Sequence, residues 1–232
     1  MTRLLVHVEG QTEETFVNEV LSEYLLTRGY TAVSARLVGN ARLRARRGGI
    51  KAWSAVRDDI ARHLQGGVGC ISTTMVDYYA LPATGPKAWP GRAAANALPH
   101  PQKADAVETQ LALDISTMVG VPLLLIRFIP FVVMHEFEAL LFSDCAAFAS
   151  AIYREDLRED FQKIRNQFES PEEINDSPQT APSKRIEALI PGYQKPLLGT
   201  LAGLGIGLHR IKLECPRFAL WLGKLEAAVI AS

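Results

Sequence analysis

Acidic residues stand at three places where an apolar run of strand character ends. Leu4-Leu5-Val6-His7-Val8 stops at Glu9 and Gly10, and Glu13 follows four positions after Glu9. Cys70-Ile71-Ser72-Thr73-Thr74-Met75-Val76 closes on Asp77. Past the run Val121 to Ile129 come His135, Glu136, Phe137 and Glu138, with Asp144 a little further on. Carboxylates brought together by a fold repel strongly unless a cation or a shared proton relieves them. Magnesium, or manganese in the same role, does so through oxygen ligands: one or two carboxylates, water and a substrate phosphate. The chemistry such a set serves is phosphoryl transfer or phosphodiester cleavage, with the metal as Lewis acid. Glu9 and Asp77 are the candidate catalytic residues on this pattern. Glu9, Asp77, Glu136 and Glu138 are the candidate metal ligands, and Glu13, His135 and Asp144 are further candidates.

Each of these residues also has a structural explanation. An acid after a strand often caps the next helix, and Glu13 suits a first turn because its charge complements the helix dipole. His135 lacks the second histidine that a zinc-protease helix requires. Cys70, Cys145 and Cys215 are too scattered for a zinc site or a disulfide framework, which fits a reducing, cytoplasmic setting.

Basic residues supply the complement. The loop Arg42 to Lys51 holds Arg44, Arg46, Arg47 and Lys51, with Trp53 just after it. It is either a solvated loop or a phosphate-backbone contact whose binding would fall steeply with salt. Lys184 and Arg185 follow Pro182-Ser183 at a predicted helix start, where free backbone amides can hold an anion. Lys plus Arg and Asp plus Glu both number 25, so any attraction to nucleic acid must be local.

The elements needed to position these groups are legible in the hydrophobic pattern. Phe16, Val17, Val20, Leu21, Tyr24 and Leu25 predict a helix over Thr12 to Arg28. A β-branched strand follows over Tyr30 to Val38, then a helix from Ala52 to Leu64 ended by glycines. Strands are expected at Cys70–Val76 and Val121–Ile129, with a helix between them over Lys103–Met118 and a long Pro, Gly and Ala-rich loop over 80–101. Such alternation predicts an α/β fold: a mostly parallel sheet flanked by helices, with the carboxyl ends of its strands at one edge. Residues 1–144 would form this domain, and 145–232 a helical C-terminal region packed on it.

A composition of 48% hydrophobic and 22% charged residues is that of an ordinary globular chain. The longest apolar stretch, Val119 to Met134, is interrupted by Pro122, Arg127 and Pro130, so no membrane span is expected. No charged-then-apolar leader opens the sequence, which predicts no signal peptide.

Val8-Glu9-Gly10-Gln11-Thr12-Glu13 resembles the opening motif of Toprim domains, found in topoisomerases, primases and overcoming-lysogenization-defect (OLD) type nucleases. Longer motifs resemble an uncharacterised bacterial family, domain-of-unknown-function family 4276, regarded as Toprim-like. They are Thr74 to Pro82, His135 to Asp144, Ile174-Asn175-Asp176 with Thr180 to Arg185, and Cys215 to Phe218. The resemblance implies a Toprim-like (Rossmann-like) fold. It matches Glu9 to the Toprim glutamate and Asp77 to the first aspartate of the Asp-x-Asp motif. Here the chain departs from the pattern, because Tyr79 holds the second aspartate position; Glu136, Glu138 or Asp144 would have to supply the missing oxygen. The expectation is a magnesium- or manganese-dependent nuclease, by analogy an effector in anti-phage defence. The alternatives are a non-catalytic nucleic-acid or nucleotide-binding module, a regulatory subunit of a partner ATPase, and a phosphotransferase acting on small molecules.

Overall fold

The structure is a computed structural model that describes residues 1–38, 50–100, 102–122, 125, 127–174, 177 and 179–230. Its centre is β1 (Thr2–Val8), which pairs in parallel with β2 (Tyr30–Leu37) on one side and β3 (Cys70–Asp77) on the other. Leu4 lies opposite Val33 in β2 and Ile71 in β3. Strand β3 is buried along its whole length, as a parallel strand covered on both faces must be.

Beyond β3 the sheet is finished by two short pieces, β4 (Phe128–Ile129) and β5 (Val132–Val133), both parallel to it. This corrects the single strand expected over Val121 to Ile129. Pro122 and Pro130 lack the N–H that a ladder needs. The Thr74 hydroxyl bridges the interruption, accepting from the Phe131 N–H and donating to the Phe131 carbonyl, each at 3.0 Å.

The helix expected over Thr12 to Arg28 is α1 (Gln11–Phe16), a π-helical turn (Val17–Leu21) and α2 (Ser22–Leu26) in succession. α3 (Trp53–Gln65) precedes β3. The expected long loop at 80–101 contains a helical turn, α4 (Arg92–Ala95), entered through Gly91 at φ +78°. The buried Arg92 guanidinium ties α4 to the end of β3 by donating to the Tyr78 carbonyl (3.1 Å) and lying over its ring. α5 (Gln102–Val119) follows, and after β5 the chain is helical: α6 (Cys145–Ala151), α7 (Arg158–Arg165), α8 (Pro182–Leu189), α9 (Thr200–Glu214) and α10 (Pro216–Ile230).

Period-2 alternation sends Leu4, Val6, Val8, Ile71 and Met75 to one face, where they meet Phe16, Leu21, Leu25, Ile211, Phe218, Trp221 and Leu225. On the other face Val76 meets Val56, Ile60 and Leu64 of α3 and Val107, Leu111 and Ile115 of α5. The C-terminal helices therefore share a core with the sheet. Phe131 stacks on Trp221 at 4.6 Å, and Phe218 meets Phe16, Phe131 and Trp221 edge-on. The Trp221 indole N–H donates to the Thr73 hydroxyl (2.9 Å) and the Tyr30 hydroxyl to the Leu225 carbonyl (2.8 Å). Among the described residues, no helix is long and apolar enough to cross a membrane.

Because one core joins sheet and C-terminal helices, Phe218→Ala is expected to lower the stability of the whole chain by about 3–5 kcal/mol. Urea unfolding followed by far-UV and aromatic signals checks it. Coincident, earlier transitions are expected, whereas separate melting of the helical part would contradict the shared core.

Candidate active site

The connection after β1 leads to β2 on one side, while that after β3 leads to β4 on the other. The gap between the carboxyl ends of β1 and β3 is therefore the topological switch point, where open α/β sheets place their ligands. Glu9 leaves the end of β1, and Asp77 is the last residue of β3. Glu13, on the first turn of α1, folds back so that its Oε2 accepts the Gly10 N–H (3.0 Å). Glu138 lies on the buried 3-10 helix Phe137–Ser143, and the Phe137 N–H of that segment donates to Asp77 Oδ1 (2.8 Å). Four carboxylates from four places in the sequence are thus assembled at one edge.

At their centre is a residue that the sequence reading did not single out. Lys195 Nζ stands 2.9 Å from Glu138 Oε2, 3.4 Å from Asp77 Oδ2 and 3.7 Å from Glu13 Oε1. It opens a π-helical turn, Lys195–Gly199, that is pinned to α1: the Thr12 hydroxyl donates to the Lys195 carbonyl (3.3 Å). Gly199 packs closely there: a Cβ would come within 3.1 Å of both the Thr12 methyl and the Tyr193 hydroxyl and would have to push one of them aside by a few tenths of an ångström. One ammonium cannot satisfy four acids. Glu9 Oε2, Glu13 Oε1 and Glu138 Oε1 are buried and accept no hydrogen bond among the described residues, and the Tyr193 hydroxyl is orphaned beside them.

The other deeply buried acids are supplied with donors. Glu172 accepts the Arg217 and Phe218 N–H groups at the start of α10, and Glu108 accepts the Val132 N–H and the Arg217 guanidinium. Among the described residues, only the switch-point cluster leaves several carboxylate oxygens open. Its electrostatics follow first from burial and then from that deficit. Burial lifts the Glu9 carboxyl to about 7, with Glu13 and Glu138 adding to the rise and Lys195 opposing it. Burial also raises Asp77 and Glu138, again against Lys195. For Lys195 burial works against the charge, but Glu138, Asp77 and Glu13 outweigh it and hold the ammonium well above its ordinary value. Burial raises the Tyr193 phenol, and neighbouring Glu138 raises it further.

The donor chemistry, all carboxylate oxygen with open lone pairs, fits a hard divalent cation. In this arrangement no three His, Cys, Asp or Glu side chains among the described residues are placed to share an ion. The Lys195 ammonium is the cation these acids converge on.

Glu9, Asp77, Glu138 and Glu13 are brought together as candidate ligands. Glu136 is turned away: its Oε2 accepts the Ser183 N–H (2.9 Å) and is itself the anion at the start of α8. Asp144 caps α6 through the Ala147 N–H (2.9 Å) and pairs with Arg210. His135 is buried and stacks on Tyr79 at 5.1 Å, so the residue in the second aspartate position packs against a ring. Lys51 donates to the Leu37 carbonyl, Lys184 pairs with Glu187, and Arg185 lies over Phe168 and donates to the Thr180 carbonyl. Arg44, Arg46 and Arg47 lie outside the described residues.

A family model described as a domain of unknown function, DUF4276, matches residues 8–226. The chain belongs to this family. No curated protein matches it. Among solved structures it is similar to the C-terminal region of the Burkholderia pseudomallei OLD protein, with a TM-score of 0.52 over 99% of both chains at 13% identity. That likeness shows the fold alone: this DUF4276 member shares with that region a mostly parallel α/β sheet flanked by helices, with a C-terminal helical region.

Glu9 gives a pH signature with a definite sign. The native state keeps a proton on Glu9 up to about 7, whereas the unfolded chain releases it near the ordinary carboxyl value of 4.5. The native state then binds more protons over that window, so stability falls as pH rises through it. Thermal unfolding in chelator should show a lower Tm at pH 8 than at pH 5.5, with a shallower fall in Glu9→Gln. An unchanged slope in the variant would contradict the burial of a titrating Glu9.

Proposed function

We propose that this DUF4276 protein is a nuclease, hydrolysing phosphodiester bonds in nucleic acid with magnesium or manganese. The observation that carries the reading is the buried acid cluster at the switch point, with open carboxylate oxygens, in a fold shared with the OLD C-terminal region. Two of Asp77, Glu138 and Glu13 would hold the ion together with water and the substrate phosphate, Asp77 being oriented by the Phe137 N–H. The ion would supply Lewis acidity toward a phosphoryl oxygen.

Glu9 is assigned proton transfer. A carboxyl lifted to about 7 can take a proton from an attacking water at neutral pH and return it, and its Oε2 has no other partner. Glu136 would act at one remove, by holding the start of α8, which carries Lys184 and Arg185. Those two residues, with Lys51, Arg44, Arg46 and Arg47, are the proposed phosphate contacts. A role in anti-phage defence and a separate ATPase partner belong to the same proposal, by analogy with OLD-type proteins.

Tyr79 favours a second reading. Stacked on His135 where an aspartate was expected, it removes one ligand, and a protein so altered could bind nucleic acid or nucleotide without cutting it.

Nuclease assays on single- and double-stranded DNA and RNA with Mg²⁺ or Mn²⁺ separate the two. Cleavage that falls by at least about a hundredfold in Glu9→Gln and in Asp77→Asn is expected. Binding without cleavage would favour the second reading, and cleavage unaffected by both changes would overturn the site assignment.

A further inference from the structure

The same cluster carries an inference about Lys195 that rests on the cation-dependent reading above. The Lys195 backbone is fixed, its carbonyl held by Thr12 and its turn packed through Gly199 against α1. Its side chain is not enclosed in the same way. A little over a third of the whole side chain, 37%, is exposed although its ammonium end is buried among the acids, while Asp77 and Glu138, which it contacts, are almost wholly buried. A lysine stem has four rotatable carbons and ends in a compact point charge, so the ammonium can leave without moving the backbone.

The acids cannot leave. Glu13 is held by the Gly10 N–H, Asp77 by the Phe137 N–H, and Glu138 lies in a fully buried segment. An ammonium at 2.9–3.7 Å from three of these carboxylates occupies the space between them, so an ion drawn in by any two of them would have to displace it. Two cations cannot share that position, because their mutual repulsion at such range is as large as the attraction either gains from one acid.

We infer that the Lys195 ammonium is a tethered competitor for the divalent cation. It holds the acid cluster together when no ion is bound and turns to the solvent side when one enters. The open oxygens of Glu9, Glu13 and Glu138 and the orphaned Tyr193 hydroxyl are the groups left for the incoming ion and its water. Weak intrinsic affinity for the ion follows, because every binding event must first expel a counter-ion attached to the same chain. A substrate phosphate arriving with the ion would give the expelled ammonium a new partner, which couples ion binding to substrate.

Two measurements on the full chain test this. Calorimetric titration with MnCl₂ should show saturable binding that is tighter in Lys195→Met than in the wild type by about tenfold or more. Circular dichroism would establish that the variant is folded. Acetylation of the wild type with N-hydroxysuccinimide acetate, read by mass spectrometry, should label Lys195 several-fold faster with saturating MnCl₂ than in chelator. Saturable Mn²⁺ binding with unchanged or slower Lys195 labelling, or with weaker binding in a folded Lys195→Met, would overturn the tethered competitor and leave the cation site standing. Absence of saturable binding in both proteins would overturn both. The labelling arm uses only the wild type, so it decides the matter even where the variant fails to fold.

Discussion

Four carboxylates and one ammonium occupy the switch point of this sheet, and the rest of the site depends on that imbalance of charge. Two like charges about 4 Å apart repel by about 4 kcal/mol at an effective dielectric constant near 20. Lys195 can offset only part of that among Glu9, Glu13, Asp77 and Glu138. Burial, with the remaining repulsion added to it, raises the carboxyl pKa values, Glu9 reaching about 7, and several carboxylate oxygens are left without donors. A fold maintains such a deficit only when neighbouring structure fixes the groups. Here the fixing elements are two central parallel strands, a helix pinned to the Lys195 turn, and a buried 3-10 segment tied to Asp77. Strained electrostatics of this kind cluster at functional sites.

The scaffold was largely legible in the sequence because its signals are local. Period-2 alternation marks β1, helical spacing marks α1 through α2, and glycines end α3, so the placement of Glu9 and Asp77 at strand ends follows from neighbouring residues alone. The misread strand has an equally local reason. Pro122 and Pro130 bracket an apolar run that looks continuous by composition, yet the pairing among the described residues begins only at Phe128 and is carried past Pro130 by a threonine side chain. No pattern in the run itself announces that bridge.

The centre of the site was illegible for the opposite reason. Lys195 lies 118 positions from Asp77, in a turn that reads as one polar connection among several. Only the packing of its turn on Thr12 delivers it to the acids, and that contact has no periodic signature. Position alone also could not divide Glu136 from Glu138. Two residues apart, they part company at the start of a 3-10 helix, one capping α8 and the other facing Lys195. The free amides at the start of α8 do hold an anion as the sequence predicts, but that anion is the Glu136 carboxylate of this same chain.

Everything proposed for this protein depends on the acid cluster being a cation site. The direct measurement is anomalous diffraction from crystals soaked in Mn²⁺. The account predicts a peak within about 2.0–2.6 Å of carboxylate oxygens from at least two of Glu9, Glu13, Asp77 and Glu138. A fully soaked crystal with its only peaks elsewhere, and with Lys195 still among the three acids, would contradict it.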